Sequence, residues 1–184
     1  MIVNTPWMHE IIDDFLDKED FDYLSNIELE NTSEDGNAIG KNKIYADGVI
    51  RCTAPMDWNW MGEFRNKYYN RTVEILKNHA PEKIDDILYM ELNIVESGPH
   101  FQFPIHPDSR DKLLSCVVYL QPEHNNGTVL YSSEDGANEY MAEWKQNRCV
   151  IFSRQDNTWH SYGGNGISPR RTLVLNLRSE RRKK

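Results

Sequence analysis

The sequence has no hydrophobic run long enough to cross a membrane, since no stretch approaches the roughly 18 consecutive apolar residues that a spanning helix needs. It also lacks the pattern of a secretory signal peptide, because Met1–Val3 leads directly into polar residues and then into the acidic pair Asp13 and Asp14. These absences argue against a membrane or secreted protein. We expect a soluble protein located in the cytoplasm.

Cysteine is scarce, and the three cysteines, Cys52, Cys116 and Cys149, lie far apart. An odd number of widely spaced cysteines does not make a disulfide framework, and their spacing matches no zinc-ligand pattern. A reducing, cytoplasmic environment fits this usage best.

Basic residues are fewer than acidic ones, with 21 Lys and Arg against 29 Asp and Glu and a net charge of −8. This balance does not favour binding to nucleic acid through its phosphates, and we expect no nucleic-acid partner. The carboxy-terminal residues 178–184 are the exception, because five of the seven are basic. Two interpretations stay open for this tail: a solvated terminus, or a docking arm for an acidic partner.

The 184 residues contain no repeat, linker or low-complexity tract, and their length predicts a single domain. A short helix is predicted after Asp17, a suitable N-cap, and a longer one over residues 58–78. Residues 31–42, rich in Asn, Gly, Ser and acids, predict a loop, and residues 43–52 a strand. The longer helix rests on a stripe of residues three or four positions apart, namely Trp60, Phe64, Tyr68, Thr72, Ile75 and His79.

From Ile87 onward the hydrophobic period changes to two, which predicts β-strands. Lys112–Leu120 is apolar on both faces, as in a strand buried inside a sandwich. Further short strands are predicted at 128–132, 139–144, 148–153, 157–161 and 171–178. The pattern indicates a mostly β (α+β) fold, with a jelly roll backed by amino-terminal helices. The pattern alone fits any β-sandwich equally well.

Three polar residues in this β-rich half can form a metal site. His106 and Asp108 lie two residues apart on an extended segment, so both side chains project to the same side. With His160 they make the 2-His-1-carboxylate set that holds Fe(II) on one face and leaves the opposite positions open. A His-x-Asp sequence alone is more often structural, and the later His160 and Arg170 make the metal interpretation the stronger one.

These motifs resemble those of the Fe(II)/2-oxoglutarate-dependent oxygenases, in particular the prolyl-hydroxylase-like branch. The shared order is His106-Pro107-Asp108, a strand ending in Tyr119-Leu120, a Gly127 turn into an apolar strand, His160, and Arg170-Arg171-Thr172. Asn126 stands where the family usually has a first glycine. The resemblance covers roughly residues 86–178 and, more weakly, the amino-terminal region. It implies a double-stranded β-helix (jelly roll) core, with Fe(II), 2-oxoglutarate and O2 as cofactor and co-substrates.

The resemblance also implies how 2-oxoglutarate would be held. Arg170 would grip its far carboxylate with two parallel hydrogen bonds, which a lysine could not provide. Thr172 shares a strand face with Arg170 and could add a hydrogen bond, and Tyr119 matches a family position that helps to hold the same carboxylate. Arg171 is the alternative if the register slips by one residue. Tyr119 as a core tyrosine with a satisfied hydroxyl remains an equally open interpretation.

We therefore expect a dioxygenase that hydroxylates an unactivated C–H bond of a small-molecule or peptidyl substrate, with an amino acid such as proline as one example. Residues 1–85 are predicted to be a helical support and lid region, residues 86–178 the catalytic core, and residues 179–184 the basic tail. Two other functions stay open. One is a cupin-like metal-dependent enzyme that does not use 2-oxoglutarate, and the other is a non-enzymatic β-sandwich binding module.

Overall fold

The chain forms twelve β-strands and three α-helices within residues 1–29 and 36–180, the parts that a computed structural model describes; for residues 36–41 it describes the backbone only. The strands are β1 (Ile2–Val3), β2 (His9–Ile12), β3 (Gly36–Tyr45), β4 (Ile50–Arg51), β5 (Tyr89–Ser97), β6 (Gln102–His106), β7 (Lys112–Gln121), β8 (Thr128–Tyr131), β9 (Tyr140–Ala142), β10 (Cys149–Ser153), β11 (Trp159–Gly163) and β12 (Arg170–Arg178).

The strands make two antiparallel sheets. The larger sheet has the order β1-β2-β10-β7-β12-β5-β3-β4, and the smaller has the order β6-β11-β8-β9. Strands distant in sequence are neighbours in both sheets, so long connections pass between the sheets, as in a jelly roll. The predicted fold class, a jelly roll supported by amino-terminal helices, is confirmed.

The helices precede most of the strands, and the first two begin at aspartate caps. Helix α1 (Lys18–Asn26) starts after Asp17, whose side chain accepts a hydrogen bond from the backbone N–H of Asp20 at 3.0 Å. Helix α2 (Trp58–Phe64) continues through a π-helical turn (Arg65–Tyr69) into α3 (Asn70–His79), and a 3-10 helix (Pro81–Asp86) follows. Within the described ranges, none of the helices is long and apolar enough to span a membrane.

The two faces of the larger sheet carry different residues. Along β12, Leu173, Leu175 and Leu177 are fully buried in the core that joins this sheet to the helices. Burying each such side chain contributes about 1.5–3 kcal/mol, so this face supplies much of the stability. The other face of the larger sheet lines a cavity that is enclosed by residues of both sheets. On β12 the residues that line this cavity are Arg170, Thr172, Val174, Asn176 and Arg178.

The structure corrects two predictions in the amino-terminal half. The predicted loop over 31–42 is wrong from residue 36, where β3 begins and pairs with β5, while residues 31–35 lie outside the described residues. The single strand predicted over 43–52 is also wrong. The chain turns after Tyr45 and returns as β4, because Gly48 adopts a positive φ of 92° that suits a tight turn.

The basic tail is only partly described. Arg178, counted with the tail in the sequence, belongs to β12 and forms ion pairs with Glu91 and Asp111. Residues 181–184 lie outside the described residues, so both interpretations of the tail stay predictions.

Candidate metal centre

The predicted metal ligands come together at the edge where β6 meets β11. His106 ends β6, and the strand pairing places it directly opposite His160 on β11. The Nε2 atoms of the two histidines each lie 3.9 Å from Oδ1 of Asp108, two residues beyond β6. One ligand atom from each residue falls within 4.8 Å of the others. The structure thus brings together all three residues that the sequence predicted.

A β-bulge in β6 gives His106 its orientation. The pairing with β11 advances two residues from His160 to Tyr162, while β6 takes three residues from Phe103 to His106. In a regular strand, residues three positions apart face opposite sides, whereas the bulge lets Phe103 and His106 both line the cavity. Pro104 lies inside the bulge, where its missing N–H removes no required hydrogen bond.

Both histidines present the same nitrogen to the centre. Nδ1 of His106 donates to the carbonyl of Pro104, and Nδ1 of His160 donates to the carbonyl of Thr158, each at 2.9 Å. Because a carbonyl oxygen only accepts, the proton of each neutral ring sits on Nδ1. The Nε2 lone pairs are then free to bind a metal, and the backbone contacts fix the rings, as is usual for metal-binding histidines.

The ionisation states also suit metal binding. Burial opposes ionisation of Asp108, but the charge of Lys112 and the hydrogen bonds from Lys112 and Ser115 outweigh it and lower the pKa of this carboxyl to about 2. Burial lowers the pKa of His160 to about 4, against the opposing effect of the Asp108 charge. At neutral pH the carboxylate is therefore ionised and the imidazole neutral, the forms that bind metals.

Sequence reasoning missed the residues that hold Asp108. Lys112 Nζ donates to its Oδ1 at 2.5 Å, and the Ser115 hydroxyl donates to its Oδ2. Arg154 Nε donates to the backbone carbonyl of Asp108 at 3.0 Å. The only available signal was position: Lys112 and Ser115 open the strand that follows Asp108.

Arg170 lies on the cavity face of β12 and is 2% exposed. Its guanidinium lies 4.7 Å from the ring centroid of Tyr162, and its hydrogen bonds, to Asn126 and Thr128, are both long at 3.4 Å. Among the described residues, no carboxylate forms an ion pair with it. A buried arginine without an acidic partner is costly, and a bound anion would compensate its charge.

Arg171 has opposite surroundings. Its guanidinium forms an ion pair with Glu96 at 2.7 Å and donates to the carbonyls of Ser25 and Ile27, each at 2.9 Å. These bonds join β12 to the end of helix α1, away from the cavity. The structure therefore places Arg170, and not Arg171, where an anion in the cavity could reach it.

The other two predicted co-substrate residues lie near Arg170. Thr172 lines the cavity two residues along β12. Tyr119 is fully buried beneath Arg170, with its ring centroid 5.5 Å from the guanidinium, but its hydroxyl donates to Ala142 and accepts from the N–H of Thr128. The hydroxyl is thus engaged within the protein, and its role toward a co-substrate stays a prediction.

Tyr162 is a cavity residue that sequence reasoning missed. It stacks in parallel on Phe103 at 5.2 Å, and Arg170 lies over its ring. It follows His160 by two residues on β11, so strand alternation alone could have placed both on one face. The cavity between these residues and the metal ligands measures about 230 Å³. Its remaining walls include Asn93, Val95, Val117, Thr128, Phe152 and Val174.

Solved structures of similar shape cover nearly the whole chain. A prolyl-4-hydroxylase from Pseudomonas putida aligns over 94% of this chain and 92% of its own, with a TM-score of 0.60 and 15% identity. An oxidoreductase of the 2OG-Fe(II) oxygenase family from Burkholderia pseudomallei aligns over 96% and 88%, with a TM-score of 0.65 and 12% identity.

A third structure, a prolyl hydroxylase from Trichoplax adhaerens in complex with a peptide fragment of the oxygen degradation domain of hypoxia inducible factor, aligns over 94% and 84%, with a TM-score of 0.57 and 14% identity. The chain therefore has the fold of the 2OG-Fe(II) oxygenases, as the sequence resemblance predicted. No protein-family model matches the sequence, and no curated protein does either.

Proposed function

We propose that this protein is an Fe(II)- and 2-oxoglutarate-dependent oxygenase that hydroxylates an unactivated C–H bond, with release of succinate and CO2. The observation that carries the proposal is one cavity that contains both a ligand-ready triad and a buried arginine without an acidic partner among the described residues. A metal site alone fits many enzymes. A metal site and such an arginine in one cavity together fit a co-substrate that chelates the metal at one end and offers a carboxylate to the arginine at the other.

The triad fits Fe(II) by the chemistry of its donors. Two neutral imidazoles and one carboxylate on a single face are the set found in non-haem iron oxygenases, and they leave positions open on the cavity side. Bound iron would supply the activation of O2 that the side chains cannot perform themselves. Ser115 and Lys112 hold the carboxylate of Asp108 in place, and Pro104 and Thr158 hold the two rings.

Arg170 and Thr172 would orient 2-oxoglutarate. The planar guanidinium can donate two parallel hydrogen bonds to a carboxylate, and Thr172 lies on the same strand face with a hydroxyl able to donate a third. Phe103, Val174 and Phe152 also line the cavity, and the guanidinium of Arg170 is itself buried from solvent. An anion at Arg170 would therefore be bound strongly in a poorly solvated site.

For the substrate, we propose a small molecule or a peptide that carries a prolyl or other amino-acid unit. Support comes from two of the structural neighbours, one a prolyl-4-hydroxylase and the other a prolyl hydroxylase bound to a peptide.

Anaerobic titration tests the proposal. Addition of Fe(II) and then 2-oxoglutarate to the protein should produce a weak visible charge-transfer band, and admission of O2 should release succinate. Arg170→Ala should lose the response to 2-oxoglutarate at concentrations that saturate the Arg171→Ala control. Metal binding without any response to 2-oxoglutarate would support a cupin-like enzyme instead, and absence of both signals would leave a β-sandwich binding module.

A further inference from the structure

The cavity has a second polar end, opposite Arg170. Along the cavity face of β12, Arg170 and Thr172 stand at one end and Asn176 and Arg178 at the other, with Val174 between them. In the pairing of strands, Asn176 lies opposite Glu91 of β5 and opposite Ser115 of β7. Ser115 in turn donates to the metal ligand Asp108, so Asn176 lies beside the metal centre on the side away from the proposed co-substrate.

The amide of Asn176 has a fixed orientation. Its Nδ2 donates to Glu91 Oε2 at 3.2 Å, and because a carboxylate only accepts, the oxygen of the amide must point the other way. Glu91 is itself held by Arg178, whose Nε donates to it at 2.6 Å. Arg178 also pairs with Asp111, so the charges at this end are already compensated within the protein.

The oxygen of this amide has no hydrogen-bond partner among the described residues, although Asn176 is only 1% exposed. Buried acceptors are nearly always satisfied, so an unpaired one in a cavity wall calls for an explanation. A donor from a bound molecule would supply the missing bond. An amide oxygen accepts from O–H and N–H groups alike, and the amino-acid unit proposed for the substrate carries N–H groups.

We propose that Asn176 is a specificity-determining residue that accepts a hydrogen bond from an N–H group of the substrate, in the form of an amide or an ammonium. This inference rests on the proposed oxygenase function, which defines the substrate side of the cavity. Through Asn176 the site would select substrates that carry an N–H group close to the C–H bond that reacts.

Matched pairs of compounds test this assignment through succinate release. The ammonium arm compares common L-amino acids with the corresponding 2-hydroxy acids, and proline with tetrahydrofuran-2-carboxylate. The amide arm compares N-acetyl amino-acid amides with the corresponding methyl esters. In the wild-type protein, kcat/KM for the nitrogen member of at least one pair should exceed that of its partner by roughly tenfold or more, the factor that one buried hydrogen bond provides.

Asn176→Leu, which keeps the size of the side chain and removes the acceptor, should reduce this preference to about twofold or less. Its visible band with Fe(II) and 2-oxoglutarate should stay that of the wild type. Val174→Ala is the matched control on the same strand face, and it should keep the preference for nitrogen. If Asn176→Leu fails to give the band, Asn176→Ser, whose hydroxyl is too short to replace the amide, makes the same test.

Three results would overturn the assignment: no pair distinguished by the wild-type protein, no nitrogen compound that raises succinate release, or a preference that survives in the Asn176 variants. Each of these leaves the oxygenase proposal standing as long as the band forms. Absence of the band in the wild-type protein would instead remove the proposed function itself.

Discussion

The two faces of strand β12 differ in a way that separates stability from function. On the helix face, three leucines are fully buried and packed against apolar neighbours. On the cavity face, Arg170 has no acidic partner and Asn176 has an unpaired oxygen, within the part of the chain that the structure describes. One face is satisfied by the protein alone, whereas the other leaves polar groups unpaired, and we propose that ligands complete it. Substitutions on the helix face should therefore lower the free energy of unfolding, and substitutions on the cavity face should change iron binding or 2-oxoglutarate use.

The largest effect is expected from the metal ligands on the cavity side. Asp108→Ala and His106→Ala should each abolish iron binding and 2-oxoglutarate turnover while circular dichroism shows an intact fold, because neither residue contributes to the apolar core. Iron binding is measured by titration and turnover by succinate release. An Asp108→Ala protein that works at the full rate would refute the triad.

The helix face should show the opposite behaviour. Leu175→Ala should lower the free energy of unfolding by about 2–5 kcal/mol, because it leaves a cavity in a fully packed core. Urea denaturation measures the loss, and the remaining folded protein should keep its normal 2-oxoglutarate requirement. Val174→Ala, one residue away on the cavity face, is the control and should cost less, since its surroundings are already open. Equal losses at both positions would contradict the comparison.

The two neighbouring arginines sharpen the comparison further. Loss of one partner of a buried ion pair costs about 3–5 kcal/mol, so Arg170→Ala should raise the 2-oxoglutarate requirement by at least about a hundredfold. Arg171→Ala loses contacts to Glu96 and to the end of helix α1, so it should reduce stability and change the requirement by about twofold at most. Similar effects of the two variants on 2-oxoglutarate use would show that the co-substrate is not held by Arg170.

The smallest effect is expected outside both faces. The hydrogen bond from Arg148, with a second from Lys145, lowers the pKa of Asp13. The pKa of Asp13 in the folded protein lies below its unfolded value of about 3.9. The contacts of the ionised carboxylate therefore stabilise the protein fully at pH values above about 3.9, and this stabilisation is lost as the pH falls through the folded pKa. The Asp13 side chain is 36% exposed, so Asp13→Asn should cost only about 0.5 kcal/mol at pH 7. Urea denaturation at pH 7 and pH 3 should show the difference shrink at the lower pH.

Residue type and spacing along the chain, with the resemblance to a known family, led to the prediction of the metal ligands and of Arg170. The structure brings these four residues to one cavity. Asn176 was missed because its role depends on which strands are neighbours and in what register, and that arises only when β12 pairs with β5 and β7. Lys112 and Ser115 lie only four and seven residues after Asp108, but no local pattern in the sequence shows that the turn before β7 folds their side chains back onto its carboxylate.

The amino-terminal half shows the same limit. The first part of strand β3, residues 36–42, was taken for a loop because its Gly and Asn residues have low strand propensity, which the pairing with β5 overrides. The division into a support and lid region, residues 1–85, and a catalytic core, residues 86–178, stays a prediction. The residues that line the cavity all fall between Asn93 and Arg178.

The bulge in β6 makes the pairing of one short segment decisive for the whole site. Phe103 and His106 are three residues apart, so plain alternation would turn them to opposite sides, and the bulge is what lets both side chains face the cavity. A register slip that moved the bulge past His106 would turn the imidazole away from Asp108 and His160 while every ligand residue remained in the sequence. The position of the bulge is therefore as strict a requirement for metal binding as the histidines and the aspartate themselves.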